Sequence, residues 1–331
     1  MKNISDFEMP FILRDFLNYL QTIRGKSVNT VQVYFYDLRL FFRFLKLHNR
    51  LVDKNAAFNE IDISDVDIEL IKNVTLSDLY SFMSYVSNNR DNTSHARARK
   101  VASLKSFFNY LSNKARLISS NPASELESPK IVKRLPRYLN IEESKQLLSA
   151  VSGEYPERDF AMITLFLNCG MRLSELVGIN LSNIKDGNLT VIGKGDKERT
   201  IPLNNACLQA LDAYIPVRPV NGVKDRNALF LSERKQRISK ESVQKIVKKY
   251  IKDAGLDPQR YSTHKLRHTA ATLMYRYGNV DIRTLQELLG HESIATTEIY
   301  THLGKQQLKD AVDSNPLSDF KRPDPDKEIE S

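Results

Sequence analysis

The chain has 331 residues, with 49 Lys and Arg against 40 Asp and Glu, a formal net charge of +9. At ~150 residues per domain this length suggests two domains, and 41% hydrophobic residues are enough to build two cores. The positive balance points to an anionic partner, of which nucleic acid is the commonest. Two cysteines, Cys169 and Cys207, provide neither a disulfide framework nor a Cys-x-x-Cys metal knuckle. That usage fits a reducing compartment. No stretch approaches the ~20 apolar residues of a membrane span, and residues 1–8 hold no signal-peptide core. The expectation is a cytoplasmic protein with no membrane partner.

The first third reads as helices. Leu13, Phe16, Leu17 and Leu20 fall at helical spacing, as do Tyr34, Leu38, Phe41, Phe42 and Leu45 after a cap expected at Asn29. Thr75 opens a helix carrying Leu79, Phe82, Met83 and Val86, and another carries Val101, Leu104, Phe107, Phe108 and Leu111. The opposite face of that last helix begins with Arg97, Arg99, Lys100 and Lys105, a solvated face that could meet phosphates. Residues 50–73 read as a variable connection. The helical domain is therefore placed at 1–127.

Residues 128–137 carry two prolines and four cations, among them Lys130, Lys133 and Arg134. Such a segment makes a poor helix and a good extended linker. The second domain, 138–314, begins with a helix opened by Asn140 or Ile141 and an apolar helix over Ala161–Leu167. A hairpin follows: strand Leu189–Ile192, turn Gly193–Lys197, strand Arg199–Leu203. From there to about Val312 the pattern reads as helical. Residues 315–331 are rich in Pro, Asp, Glu and Lys, so a disordered tail is expected.

The chemistry-bearing words each have an ordinary explanation when taken singly. Gly193-Lys194-Gly195 lacks the leading Gly, the Ser/Thr and the following helix of a phosphate-cradling P-loop, and reads as a hairpin turn. His264 and His268 have zinc-ligand spacing, but Lys265 stands where a metalloprotease needs its Glu. His264 and Arg267, at i and i+3, share a helix face and can point at one group. Gly290-His291 reads as a glycine-ended helix. Arg172 reads as one end of a helical ion pair with Glu175, and Tyr300 as one of 14 tyrosines.

Taken in order, these words resemble the active site of the tyrosine site-specific recombinases. The matching words are Gly170-Met171-Arg172-Leu173-Ser174-Glu175-Leu176, Gly193-Lys194-Gly195, His264-Lys265-Leu266-Arg267-His268-Thr269, Leu288-Leu289-Gly290-His291 and Tyr300-Thr301-His302. The resemblance covers nearly the whole chain and is closest to the Xer branch, the recombinases that resolve circular chromosome dimers. It implies a mainly α fold with a small antiparallel β-sheet in the catalytic domain. The helical core-binding domain would be SAM-like, and the two domains would form a C-shaped clamp on DNA.

The resemblance also implies roles. Arg172 and Arg267 would clamp the scissile phosphate, since a guanidinium is always charged and donates two parallel hydrogen bonds; each such donor contributes about 3 kcal/mol. His264 would add a donor or shuttle the tyrosine proton. Lys194, with Lys197 as its competitor, would protonate the leaving 5′ oxygen, and His291 would contact the phosphate or orient the nucleophile. Tyr300 would attack to give a 3′-phosphotyrosine, conserving the bond energy so that religation needs no ATP. No metal or other cofactor is called for.

DNA contacts are expected from Arg97, Arg99, Lys100, Lys130, Lys133, Arg134, Lys240, Lys245, Lys248 and Lys249. The segment from Gly304 through Val312 reads as an amphipathic helix that either docks on a neighbouring protomer or folds back on its own domain. Docking implies a cyclic tetramer on two DNA sites, made of this chain alone or with a related recombinase, and open to activation by a DNA translocase. Three other readings stand beside this one: a type IB topoisomerase, a mobile-element integrase and a non-catalytic DNA-binding regulator. An extra arm-binding domain, common in integrases, has no room before the first helix.

Overall fold

The structure is a computed structural model. It describes residues 8–88, 90, 92–130, 137–193, 197–278, 280–290 and 297. Lys133, Arg134, Lys194, His291 and Tyr300, and the segments 305–312 and 315–331, lie outside the described residues. The chain parts into two compact units, Met1–Lys133 and Arg134–Ser331.

The first unit is helical. α1 (Phe11–Asn18) runs into a π-helical turn at Tyr19–Ile23 and is followed by α2 (Val28–His48), α3 (Ile68–Lys72), α4 (Leu76–Asn88) and α5 (Ser94–Asn113). The long helix α2 carries apolar residues on a stripe wide enough to meet α1, α4 and α5 at once. Its Phe41 meets Phe82 of α4 edge-on at 5.2 Å, and its Phe42 meets Phe107 of α5 at 5.6 Å. Such tilted contacts suit the ring quadrupole and tie three helices through one aromatic core.

Three expectations change in this unit. The cap of α2 is Ser27, whose hydroxyl accepts the Thr30 amide at 3.3 Å, not Asn29, which lies within the helix. The connection 50–73 is packed structure: Ile61, Ile63, Val66 and Ile71 are buried, and Lys46 reaches Asp65 at 2.6 Å. Lys100 does not face solvent. It is 5% exposed, bonds Asn92 at 3.2 Å and lies 3.4 Å from buried Asp37 of α2. Burial lowers its pKa. Lys100 is therefore a helix-packing cation, and its assignment as a phosphate contact is corrected.

The second unit opens with α6 (Ile141–Ser149), started by a reciprocal capping box between Asn140 and Glu143. α7 (Pro156–Cys169) is buried along most of its length and ends at Gly170, whose φ of +58° is the left-handed conformation favoured at helix ends. The short helix α8 (Leu173–Gly178) leads to a three-stranded antiparallel sheet, β1 (Ile184–Lys185), β2 (Asn188–Ile192) and β3 (Glu198–Pro202). Leu189, Val191 and Ile201 turn into the core. The register pairs Val191 with Arg199, which fixes where Arg199 leaves the sheet.

α9 (Asn205–Tyr214), α10 (Lys240–Asp253), α11 (Thr263–Tyr277) and α12 (Ile282–Leu289) complete the unit. Helix does not run from 203 onwards as the sequence suggests, because residues 218–239 are irregular. Their backbone is satisfied partly by isolated backbone bonds, such as Lys224 N to the Lys235 carbonyl and Ile238 N to that of Phe230, and partly by side chains. Arg218 donates to the carbonyls of Arg226, Ala228 and Leu229, and Arg237 to those of Val177 and Ile179. A guanidinium that serves several carbonyls replaces a ladder of backbone bonds, leaving no periodicity to read.

Candidate active site

Arg172 is the residue just before α8, held there by Glu175 three positions on. The Glu175 carboxylate accepts the Arg172 amide at 2.6 Å and its Nη1 at 2.7 Å. Arg267 projects from the first turns of α11 and is 3% exposed. Its Nη1 donates to the Gly170 carbonyl at 2.7 Å and its Nη2 to the Leu289 carbonyl at 2.6 Å. His264, one turn earlier, is exposed on the same side. A cavity of about 360 Å³ opens where these meet, lined by Met171–Ser174, by Thr263, His264 and Arg267, and by Lys240 and Gln244 of α10.

The end of α12 explains how the arginines stay in place. The last carbonyls of a helix have no partner within it and carry its negative dipole end. Here three successive ones each take a different guanidinium. Leu288 accepts Arg199 Nε at 2.9 Å, Leu289 accepts Arg267 Nη2, and Gly290 accepts Arg172 Nη2 at 2.8 Å. Gly290 needs to be glycine. Its φ is +62°, and a Cβ there would lie 3.1 Å from Arg199 Nη1. The carbonyl cap thus holds Arg172 and Arg267 side by side at the end of α12.

Glu175 is the acid these arginines share. Besides Arg172, Arg199 grips it with both terminal nitrogens, at 2.7 and 2.8 Å, and Arg267 Nη1 lies 3.8 Å away. Burial pushes its carboxyl up, but the bonds from Arg199 and Arg172 outweigh that and hold it at about 2. Three guanidiniums around one carboxylate leave a surplus of positive charge at the cavity wall. His264 has its pKa lowered, by partial desolvation of its ring first and then by Arg267, Lys265 and Arg172, which favours the neutral imidazole. Its Nε2 lies 3.1 Å from His268 Nε2, a contact two imidazoliums would not hold.

An anion with several oxygens is what such a cavity suits. The family model described as "Phage integrase family" matches residues 137–307, just over half of the chain. The chain is 61% identical over 309 residues to tyrosine recombinase XerC of Caldanaerobacter subterraneus subsp. tengcongensis, covering 93% of this chain and 88% of that one. It is 35% identical over 306 residues to tyrosine recombinase XerD of Listeria monocytogenes serotype 4b, covering 90% and 96%. The chain belongs to the phage integrase family, as a tyrosine recombinase of the Xer type.

The recombinase is thereby a site-specific DNA breaking and rejoining enzyme. Its fold also resembles that of the XerH recombinase in a post-cleavage complex with palindromic difH substrate. There the TM-score is 0.66 at 23% identity, covering 95% of this chain and 99% of that one. Of the six residues the sequence singles out for chemistry, Arg172, His264 and Arg267 come together at one cavity, while Lys194, His291 and Tyr300 fall outside the described residues. The strands that flank Lys194 in sequence pair as a hairpin, closed by a 2.8 Å bond from Gly193 N to the Lys197 carbonyl.

In the sequence Arg199 stands out only as the first residue of a strand, and Glu175 only as a helical partner of Arg172. The cations proposed for DNA divide. Lys240 lines the cavity itself, and Lys245, Lys248 and Lys249 are exposed along the same helix. Lys130 is exposed. Arg99 is 43% exposed and ion-paired to Asp37 at 3.0 Å, and Arg97 is half-buried with Nη1 on Ser87 at 2.6 Å. Among the described residues no helix is long and apolar enough to cross a membrane.

Proposed function

We propose that the recombinase binds a specific duplex DNA site and exchanges its strands through a 3′-phosphotyrosine on Tyr300. Arg172 and Arg267 bind the non-bridging oxygens of the scissile phosphate, where attack concentrates negative charge. Neutral His264 at the cavity wall donates to the phosphate or takes the Tyr300 proton. Lys194 delivers a proton to the departing 5′ oxygen, and His291 completes the phosphate contacts. The observation that carries this reading is the convergence of Arg172, His264 and Arg267 on one cavity, with both guanidiniums fixed by backbone carbonyls before any substrate arrives. Donors preset in this way need no reorganisation in the transition state.

Residues 1–127 and 138–314 act as core-binding and catalytic domains joined by the basic segment 128–137. Lys240, Lys245, Lys248, Lys249 and Lys130 supply phosphate contacts, with Arg97, Arg99, Lys133 and Arg134 as further ones. The likeness to Xer recombinases supports a role in resolving chromosome or plasmid dimers. It also supports a cytoplasmic place of work and assembly as a tetramer on two sites, with itself or a related recombinase, under a DNA translocase.

The test is to trap covalent complexes on genomic fragments, sequence them, and rebuild the captured site as a nicked suicide duplex. The native protein is expected to form a covalent band. Tyr300→Phe is expected to form none, and Arg172→Ala to be slower by about 10²-fold or more, with both still shifting the duplex in a gel. A covalent band of equal yield from Tyr300→Phe overturns the nucleophile assignment. Captured sites at the ends of a mobile element would replace dimer resolution by integration as the biological role.

A further inference from the structure

We infer that Arg199 is a positioning residue for strand cleavage: by neutralising Glu175 it leaves the charge of Arg172 and Arg267 free for the scissile phosphate. This rests on the reading of those two arginines as the phosphate clamp.

Glu175 is buried, and a buried carboxylate must be compensated by nearby positive charge and hydrogen bonds. Arg199 provides the larger part of that, with a bidentate grip at 2.7 and 2.8 Å, and it is itself only 12% exposed at the side chain. It therefore faces protein, whereas Arg172 is 32% exposed and lines the cavity. Arg267 Nη1 stands 3.8 Å from Glu175 Oε2, just outside hydrogen-bond reach. Without Arg199, Oε2 would keep the Arg172 amide and have the Arg267 guanidinium, 3.8 Å away, as the next cation in reach. Arg267 would then be drawn toward Glu175 and away from the Gly170 and Leu289 carbonyls that aim it, and the charge offered to the phosphate would fall.

The third bond of Arg199 adds a mechanical element. Nε donates to the Leu288 carbonyl, so β3, which returns from the turn containing Lys194 in sequence, is fastened to the end of α12. One side chain thus spans the strand after the general acid, the acid at the clamp's centre, and the helix end on which Arg172 and Arg267 rest. Lysine could not replace it, because a point charge offers neither the fork nor the Nε donor.

The test measures single-turnover cleavage of the suicide duplex and, separately, DNA affinity. Arg199→Ala is expected to keep its Kd within about threefold, since that residue makes no phosphate contact, and to cleave about 10²-fold more slowly. Adding Glu175→Gln, which removes the charge Arg199 neutralises, is expected to restore cleavage by at least about tenfold over Arg199→Ala alone. A merely structural arginine would give the opposite, a double variant as slow as the single or slower.

Cleavage by Arg199→Ala within about threefold of native, or no recovery in the double variant, overturns the inference. Should Arg199→Ala not fold, Arg199→Gln serves in its place with the same expectations, and recovery of folding on adding Glu175→Gln counts in favour while its failure counts against. Arg172→Ala run in parallel separates the two levels. If it cleaves normally, the phosphate-clamp reading itself fails; if it is inactive and Arg199→Ala is not, only the role of Arg199 fails.

Discussion

Glu175 sits at the centre of a contest between burial, which favours its neutral form, and three guanidiniums, which favour its charge. The charges win, and its carboxyl lies at about 2 against an ordinary value of 4.5. Between those values the unfolded chain binds a proton that the folded chain does not. Its contribution to stability is therefore fully present above 4.5 and is lost progressively as pH falls toward 2. A shift of this size corresponds to a few kcal/mol. Urea unfolding at about pH 5 and about pH 3 should show a steep loss of stability in the native protein and a shallower one in Glu175→Gln. Equal slopes in the two proteins would mean that Glu175 is not held ionised. Much of this was legible from the sequence only in outline. Arg172, His264 and Arg267 announce themselves by order and local wording, and Glu175 by its i, i+3 relation to Arg172. Arg199 does not, because its partners lie 24 and 89 residues away along the chain, and nothing local distinguishes it from any strand arginine.

At the scale of elements, the readable parts are those where periodicity alone decides. The helices of the first unit follow from the spacing of Phe16, Phe41, Phe42, Phe82 and Phe107, all fully buried. The hairpin follows from its glycine turn. β1, only two residues long, offers no alternation to detect, and residues 218–239 are held by Arg218, Arg237 and isolated backbone bonds rather than by a repeating pattern. Lys100 is a case where the spacing argues against its assignment to the cationic face. On a helical wheel it lies with Leu104 and Phe107 and well away from Lys105, and there it meets the buried Asp37 of α2, with Ser103 adding a 3.0 Å bond to the same carboxylate. Lys100→Ala is therefore expected to destabilise the fold by about 1–3 kcal/mol, the effect of leaving a buried acceptor short of a partner. The salt slope of DNA binding should not change. Lys245→Ala, on an exposed face of α10, should do the reverse, with stability altered by no more than about 0.5 kcal/mol and a salt slope shallower by about 1. Thermal unfolding and a salt titration of each variant check both halves. A shallower slope for Lys100→Ala would return it to the DNA-binding set.

At the scale of the whole molecule, the active site joins parts far apart in sequence. α7 brings Gly170, α8 brings Arg172 and Glu175, β3 brings Arg199, α11 brings His264 and Arg267, and the end of α12 holds the three guanidiniums together. The chain leaves that helix end at Gly290 and reaches Tyr300 and then residues 305–312, whose amphipathic pattern suits docking on a neighbouring protomer. If docking is in trans, cleavage depends on a second subunit as well as on DNA. The apparent cleavage rate on a duplex carrying two half-sites should then rise more steeply than occupancy as protein is added. Deleting residues 305–331 should leave DNA affinity largely intact, because the cations assigned to phosphate contact all precede Tyr300, while removing that steepness and changing the yield of cleavage. A truncated protein that cleaves and recombines as the full chain does, with the same dependence on concentration, would show that the segment folds back on its own domain. In that case each subunit would carry a complete site, with Tyr300 positioned by its own α12 and the arginines that cap it.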